Sequence, residues 1–337
     1  MANSVVGLEI TEEEVRAAEV QVGKTPKILA HGVVRLPQGA AKDSEVLDRA
    51  AVVASLQELW KKAGFKSKRV VLGIVSRRVL VRDYRTQAMA PDMLRQALPF
   101  QVADLLPVPA DQAVIDFYPI AQEGEQLTGL LVAAVAETVQ ELVNTVSQAK
   151  LHVEQVDLSP FGLLRSIAML TDSSESIAVV HLGVHTSYVV VAEQGVPRFV
   201  RIMPLELAEA AGEPDASQLP PPLFDGETEE QRLARFYTEH PPEVMTPEKI
   251  DDLVMQITNT LRFHVERSGG QAISRLLLTG AGAGIHGVYP GFKQRIGLPV
   301  NLVGGHHLTR QDGVKSRHGQ EDLELLTPVG LAMVGAR

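Results

Sequence analysis

The chain has 337 residues, enough for about two domains, and its 41 aspartates and glutamates outnumber its 32 lysines and arginines. The net charge of −9 argues against a protein that coats nucleic acid, and the 45% hydrophobic content supplies a sizeable core. The absence of cysteine excludes disulfide frameworks, thiolate zinc sites, iron–sulfur clusters and cysteine nucleophiles.

The first part of the chain alternates apolar strands with one amphipathic helix. Its patterns predict strands at 5–10, 15–22, 28–36, 70–75 and 79–85, and a helix over 44–63 that Gly64 ends. Residues 86–150 form a compact insertion, with a helix opening at Pro91, strands over 113–120 and 127–136, and a helix over 137–151. Residues 61–85 are rich in lysine and arginine, which is typical of a solvated face, and a surface facing anionic lipid headgroups is the alternative.

The second half repeats the strand pattern of the first. Strands are predicted over 177–182, 187–193 and 197–203, with turns at Gly183 and Gly195. A proline-rich acidic segment follows, and residues 206–252 hold 13 of the acidic and 3 of the basic residues, so the rest of the chain is nearly neutral. A helix over 247–267, a strand over 276–279 and a last helix from about 323 complete the prediction.

A glycine-rich turn follows the predicted strand at 276–279. Gly282-Ala283-Gly284-Ile285-His286-Gly287 has the spacing of a dinucleotide turn, but no acidic residue follows at the distance that ribose binding requires. The turn therefore suits close approach of a nucleotide and a purely structural role equally well. No histidine pair has a carboxylate at a metal-binding spacing, so we expect neither a metal site nor a catalytic residue.

Several short stretches, taken in order, carry a family resemblance. They are Leu106-Pro107-Val108-Pro109 leading to Ile115-Asp116-Phe117, Val156-Asp157-Leu158-Ser159-Pro160-Phe161, and Leu278-Thr279-Gly280-Ala281-Gly282-Ala283. Through them the chain resembles the PilM family, actin-like cytoplasmic proteins of type IV pilus assembly that are related to FtsA.

The resemblance implies an α/β, actin-like ATPase fold of two ribonuclease-H-like domains, with a small α+β subdomain inserted in the first. The first domain would comprise 1–85 and 151–175, with the C-terminal helix 322–337 packed on it. The inserted, partner-binding subdomain would be 86–150, and the second domain would be 176–321 with the acidic segment 206–247.

Two of the family's three nucleotide motifs are altered at the residues that handle phosphate and metal. In the first, Glu9 replaces aspartate, Thr11 replaces the turn glycine, and Glu12, Glu13 and Glu14 replace small hydroxyl residues. Three carboxylates in a phosphate loop repel the anion. In the second, His181 replaces the aspartate that organises magnesium, and it is a poor ligand for that ion.

The positions that still match would bind nucleotide if any is bound: Gly183, Thr186, Gly280, Gly282 and Ala283. We therefore expect no cofactor and no hydrolysis. The alternative is ATP with magnesium in an active ATP-binding switch of the same machinery. An FtsA-like filament component would need a C-terminal membrane helix, and residues 331–337 give it poor support.

Without hydrolysis, the function that we expect is that of a non-enzymatic scaffold that recruits other proteins. The resemblance implies a groove that binds the N-terminal cytoplasmic peptide of a PilN-like inner-membrane protein, with Leu106, Pro107, Val108, Pro109 and Phe117 in or near it. Other pilus assembly proteins and homo-oligomer formation are further expectations, and nucleic acid is not. We expect a cytoplasmic protein held at the inner membrane only through partners, since no apolar run approaches the ~20 residues of a membrane helix.

Overall fold

The computed structural model describes residues 4–23, 26–172, 174–205, 207, 245–267, 272–308 and 320–334. The predicted acidic segment 206–247 lies outside these ranges, apart from Leu207 and 245–247. None of the helices in the described ranges has the length and hydropathy needed to cross a membrane.

A five-stranded mixed sheet forms the centre of the first domain. Its strands are β1 (Ser4–Ile10), β2 (Glu14–Gln21), β3 (Lys27–Arg35), β6 (Arg69–Ile74) and β10 (His152–Leu158). They lie in the order β10-β6-β1-β2-β3, with β1 antiparallel to β2 and parallel to β6. The helices of this domain are α1 (Arg49–Ala63), α3 (Ala136–Gln148) and α4 (Ser159–Ile167).

Helix α1 begins later than the sequence predicts. The expected start at Ser44 is wrong because a short hairpin, β4 (Ala41–Lys42) and β5 (Glu45–Val46), occupies the preceding residues. Asp43 and Ser44 form its turn with positive φ angles of 50° and 59°, the pattern of a type I′ turn. The helix then starts after Asp48, whose carboxylate accepts from the Ala51 N–H at 3.0 Å.

The inserted subdomain is a three-stranded antiparallel sheet covered by one helix. Its elements are β7 (Leu80–Gln87), α2 (Pro91–Gln101), β8 (Ala113–Glu123) and β9 (Gln126–Val135), with strand order β7-β9-β8. It has its own small core, built from Leu94, Leu98, Val102, Phe117 and Leu131.

The second domain repeats the sheet of the first, as the sequence pattern predicts. Its strands are β11 (Ser176–His181), β12 (Thr186–Glu193), β13 (Val196–Pro204), β14 (Arg275–Thr279) and β15 (Val300–Leu302). Their order, β13-β12-β11-β14-β15, has the same antiparallel and parallel pairings as the first sheet. Helices α5 (Pro247–Arg267) and α6 (Val288–Arg295) accompany it.

The C-terminal helices return to the first domain. They are α7 (Gln320–Glu324) and α8 (Leu326–Ala332), and α8 packs against β1 and α4. Glycines permit this approach, because a Cβ on Gly7 would lie 1.9 Å from the Pro328 carbonyl oxygen. A Cβ on Gly330 would lie 1.7 Å from the carbonyl oxygen of Gly162, in α4.

Gly330→Ala tests this packing. The added methyl meets backbone on α4 that has no rotamer with which to yield, so we expect a loss of about 3 kcal/mol in stability and a lower thermal midpoint. Gly23→Ala is the matched control, because nothing lies within 4 Å of a Cβ at that position. Equal midpoints for the two variants would contradict the close packing of α8.

Candidate functional site: a charged cleft between two domains

The two altered nucleotide motifs meet at a buried ion cluster centred on Arg16. Glu9 and Arg16 are directly opposite on the antiparallel strands β1 and β2, and Arg16 Nε donates to Glu9 Oε2 at 3.0 Å. The same guanidinium pairs with Glu324 at the end of α7, and its Nη1 lies 3.5 Å from Glu14 Oε1. Glu9 and Arg16 are 2% and 8% exposed, so the cluster is shielded from water.

The cluster shifts the titration of its carboxylates. Burial, opposed by the attraction of Arg16, raises the pKa of Glu14 to about 7. Burial likewise raises the pKa of Glu324 against the pull of Arg16. For Arg16, the surrounding carboxylates, Glu324 foremost, outweigh burial and raise the pKa, so the guanidinium stays charged.

His181 joins the cluster from the second domain. It is the last residue of β11, and its Nε2 lies 3.6 Å from Glu324 Oε2. Burial first, and the nearby Arg16 second, lower its pKa to about 3, so the imidazole is neutral at physiological pH. Its ring stacks on Tyr188 at 4.6 Å between centroids, and the Tyr188 hydroxyl hydrogen-bonds with the Thr327 hydroxyl at 3.1 Å.

The three carboxylates of the altered phosphate loop go to three different partners. Glu12 Oε1 accepts from the Asp43 N–H at 3.2 Å, and Glu13 Oε1 lies 3.0 Å from His185 Nε2 of the second domain. Glu14 turns to Arg16. The loop itself closes tightly, because the Thr11 N–H donates to the Glu14 carbonyl at 2.9 Å. The first domain therefore touches the second at the place where phosphate would lie.

The sequence-predicted nucleotide residues lie at the same cleft, packed against their own chain. Gly183 is in a turn where a Cβ would lie 2.3 Å from the Thr186 carbonyl oxygen. Gly280 has φ 90° and donates its N–H to the Leu323 carbonyl at 3.1 Å. The Gly282 N–H donates to the Leu182 carbonyl at 2.8 Å, and a Cβ there would meet the Leu207 side chain at 2.3 Å. The neighbouring Ala283 is buried.

These residues do not fit a magnesium–nucleotide complex. A neutral histidine stands where a magnesium ligand is needed, and the backbone N–H groups of the glycine turn already have partners. Within the ranges described above, no group of three or more histidine, aspartate or glutamate side chains could hold a metal ion. The one guanidinium of the cluster is already paired with carboxylates, and a phosphate placed there would face those carboxylates.

Sequence reasoning missed Glu324 and Tyr188. Glu324 carries no motif and lies far along the chain from Arg16, so only folding brings it near. The Glu9–Arg16 pair could have been predicted from the sequence, because two strands joined by a turn at 11–14 place these residues opposite each other.

A second candidate site lies between the first domain and the insert. This groove is lined by Ser44, Ile74, Ser76, Arg78, Val79, Ala134, Val135, Thr138, Val139 and Leu142. The turn of the β4–β5 hairpin forms one wall, and the Ser44 hydroxyl donates to the Val75 carbonyl at 2.6 Å. Arg77 and Arg78 at the rim pair with Asp43 and Glu45.

The five sequence-predicted partner residues do not line this groove. Leu106 and Val108 are half-buried, Pro107 and Pro109 are exposed, and all four lie in the connection between α2 and β8. Phe117 is buried in the core of the insert, where it contacts the Tyr84 ring edge-on at 6.4 Å. Phe117 therefore stabilises the insert, and direct partner contact by any of the five residues stays a prediction.

Two similar sheets around a central cleft, with a small insert in the first, define an actin-like α/β protein. A model of the family "Type IV pilus assembly protein PilM" matches residues 7–336. The chain belongs to that family.

Solved structures share the fold at low identity. The chain is similar to a protein in a PilM-PilN type IV pilus biogenesis complex, with 22% identity, a TM-score of 0.77 and 100% of each chain covered. It is also similar to the ethanolamine utilization protein EutJ from Carboxydothermus hydrogenoformans. That match has 13% identity, a TM-score of 0.53, and covers 98% of this chain and 89% of the other.

Arg16→Met tests the ion cluster. Removing the guanidinium leaves Glu9 and Glu324 buried without a counter-charge, so we expect a loss of about 3–5 kcal/mol in stability. The control is Arg95→Met, which removes an exposed pair with Asp92 and should leave urea and thermal midpoints unchanged. Similar midpoints for both variants would show that the cluster does not stabilise the fold.

Glu14→Gln tests the titration of the cluster. The pKa of Glu14 is 4.5 in an ordinary setting and about 7 in the folded chain, so its contribution to stability is lost as pH rises through that interval. From about pH 5 to about pH 8, the wild type should lose about 1–2 kcal/mol relative to Glu14→Gln. Parallel stability curves for the two proteins over this range would contradict the shift.

Proposed function

We propose that this protein is a non-hydrolysing scaffold of type IV pilus assembly that recruits the cytoplasmic tail of a PilN-like inner-membrane protein. Membership of the PilM family supports the pilus role, and the PilM-PilN complex supports the choice of partner by analogy. The single observation that carries the absence of hydrolysis is the buried Arg16 cluster. Its ion pairs occupy the cleft at the positions of the phosphate and metal motifs.

The chemistry of the cluster argues against phosphate binding. Glu9 and Glu324 already compensate Arg16, so an incoming phosphate would have to displace buried, desolvated ion pairs. Arg16 would be the natural phosphate partner, but its Nε pairs with Glu9 and its Nη1 with Glu14 and Glu324. The Glu13–His185 contact also brings the two phosphate loops together and leaves the carboxylates of the first loop beside any anion that enters.

An ATP-binding switch in the same machinery is the second candidate. The observation in its favour is the backbone of the third motif, where Gly280 keeps a φ of 90° and Gly282 and Ala283 remain small. A ligand would have to displace Leu207 from this turn. The two candidates therefore differ in a measurable property, namely affinity for the magnesium complex of ATP.

Calorimetric titration with ATP and magnesium separates the two candidates. We expect no binding at millimolar nucleotide and no phosphate release, because the cluster excludes the anion. Micromolar affinity or magnesium-dependent turnover by the wild type would refute the scaffold proposal and favour the switch.

The groove beside the insert is our candidate for the tail of the partner. Its apolar lining, which includes Val79, Ala134 and Val139, offers the burial that an extended peptide needs, and a membrane protein's tail supplies such a peptide. Recruitment in this way would hold the protein at the cytoplasmic face of the inner membrane through its partner. Other assembly proteins would then bind the remaining surface.

Thr138→Arg tests the groove. Thr138 is half-buried in its lining, and a long charged side chain there should weaken binding of a PilN-like N-terminal peptide by at least about tenfold in a fluorescence titration. Gln148→Arg places the same residue on the exposed end of the same helix and should bind like the wild type. Equal affinities for the two variants would move the binding site away from this groove.

A further inference from the structure

One end of the first sheet carries a surface of exposed cations that neither the cleft nor the groove uses. We define this basic end by seven residues: Lys27, Lys61, Lys62, Lys66, Lys68, Arg69 and Lys150. They come from β3, the last turn of α1, the loop that follows it, the start of β6 and the second residue after α3.

Sheet register brings these segments together. Arg69 and His152 are paired at the starts of the parallel strands β6 and β10, and the His152 N–H donates to the Lys68 carbonyl at 2.8 Å. Lys27 begins β3 opposite Gln21, and Gln21 is opposite Ser4 at the start of β1. Ends of all five strands of the sheet therefore lie at one end of the domain, far from Glu9 at the other end of β1.

The loop between α1 and β6 is fixed by a buried carboxylate. Glu19, 1% exposed, accepts from the Lys66 N–H at 2.8 Å and the Ser67 N–H at 3.1 Å. Trp60 Nε1 also donates to the Ser67 carbonyl at 2.9 Å. The lysine side chains of this loop thus leave a rigid backbone and extend into water.

The charge at this end is poorly compensated. Of the acidic residues on these segments, Glu154 is paired with Arg69, Glu19 is used by backbone N–H groups, and Glu58 is exposed. The six lysines form no ion pair with any residue in the described part of the chain. This end is positive although the chain as a whole has a net charge of −9.

The structure separates this surface from the rest of the basic stretch 61–85. Arg77 and Arg78 lie beside the groove and are paired with Asp43 and Glu45, at the opposite end of β6 from Arg69. A peptide in the groove and a ligand at the basic end would therefore occupy different faces of the first domain.

The geometry points to an anionic lipid surface as the ligand of the basic end. Six of the seven cations are lysines, whose compact charges on flexible stems suit a fluid array of headgroups, whereas fixed recognition of a carboxylate or phosphate favours the planar fork of arginine. Anionic headgroups attract this end, at about fivefold in affinity (about 1 kcal/mol) for each lysine or arginine near the surface, and so orient the domain with the basic end towards the membrane. Membrane contact is then direct as well as through a partner.

Vesicle flotation of the full-length protein alone tests this inference without any PilN-like peptide. Wild-type protein should float with vesicles of phosphatidylcholine and phosphatidylglycerol but not with phosphatidylcholine alone. Binding should weaken steeply as salt rises from about 0.1 M to about 1 M, where the screening length falls to about 3 Å. Binding to neither vesicle type, or equally to both, would overturn the inference.

Two triple variants with the same loss of charge provide the matched comparison. Lys61→Gln, Lys66→Gln and Lys68→Gln together should weaken binding to the anionic vesicles about 100-fold, at about fivefold per lysine. Lys42→Gln, Lys249→Gln and Lys293→Gln remove three exposed lysines elsewhere and should leave binding close to that of the wild type.

Two outcomes of this comparison would count against lipid. Equal losses in the two triple variants would show that net charge acts without a defined surface, and would overturn the inference. A second result would also overturn it: the wild type self-associates with rising concentration in sedimentation experiments, and only the first variant abolishes this self-association, while both variants bind vesicles alike. That result would assign the basic end to an acidic surface of a second copy. Thermal midpoints equal to the wild type establish that both variants are folded.

Discussion

The buried ion cluster around Arg16 is the constraint on which the arrangement of the two domains depends. A guanidinium and its carboxylates are tolerated inside a protein only when each charge keeps its partner. Here the partners come from β1, β2 and α7, and His181 of β11 closes the cluster from the second domain. Glu324 also accepts from the Ala281 N–H of the second domain at 2.7 Å, so the cluster joins the two domains through groups that belong to the chain itself.

Two further features connect the cleft to the rest of the first domain, namely the packing of α8 and the contacts of the altered phosphate loop. Helix α8 can lie across the first sheet because Gly7 and Gly330 leave no side chain in its way, and this helix begins directly after the segment that supplies Glu324. The altered phosphate loop also reaches the groove, because Glu12 accepts from the Asp43 N–H and Asp43 pairs with Arg77 at the groove rim. Two tight, polar contacts thus connect the interior of the cleft to the surface proposed for partner binding.

Most of the secondary structure was predictable because local patterns decide it. Alternating apolar residues gave most strands of both sheets to within a few residues, and the repeat of three strands indicated two similar domains. Strand β10 (His152–Leu158) was not predicted. The start of α1 was predicted too early, because Asp43 and Ser44 adopt positive φ angles that their residue types only weakly favour. Phe117 shows a different limit: a family-like stretch identified the insert, but only packing reveals that this side chain is buried in the core.

The sequence by itself determined the fold class and the family resemblance, and it contains the residue changes in two nucleotide motifs, because each of these is written in short stretches of neighbouring residues. The tertiary structure alone decided which groups these changed residues meet. Glu324 meets Arg16 across most of the length of the chain, Leu207 packs on Gly282, and lysines from separate segments gather at one end of a sheet. Such contacts depend on how the folded backbone brings distant segments of the chain together, and no local pattern of residue types encodes which segments meet.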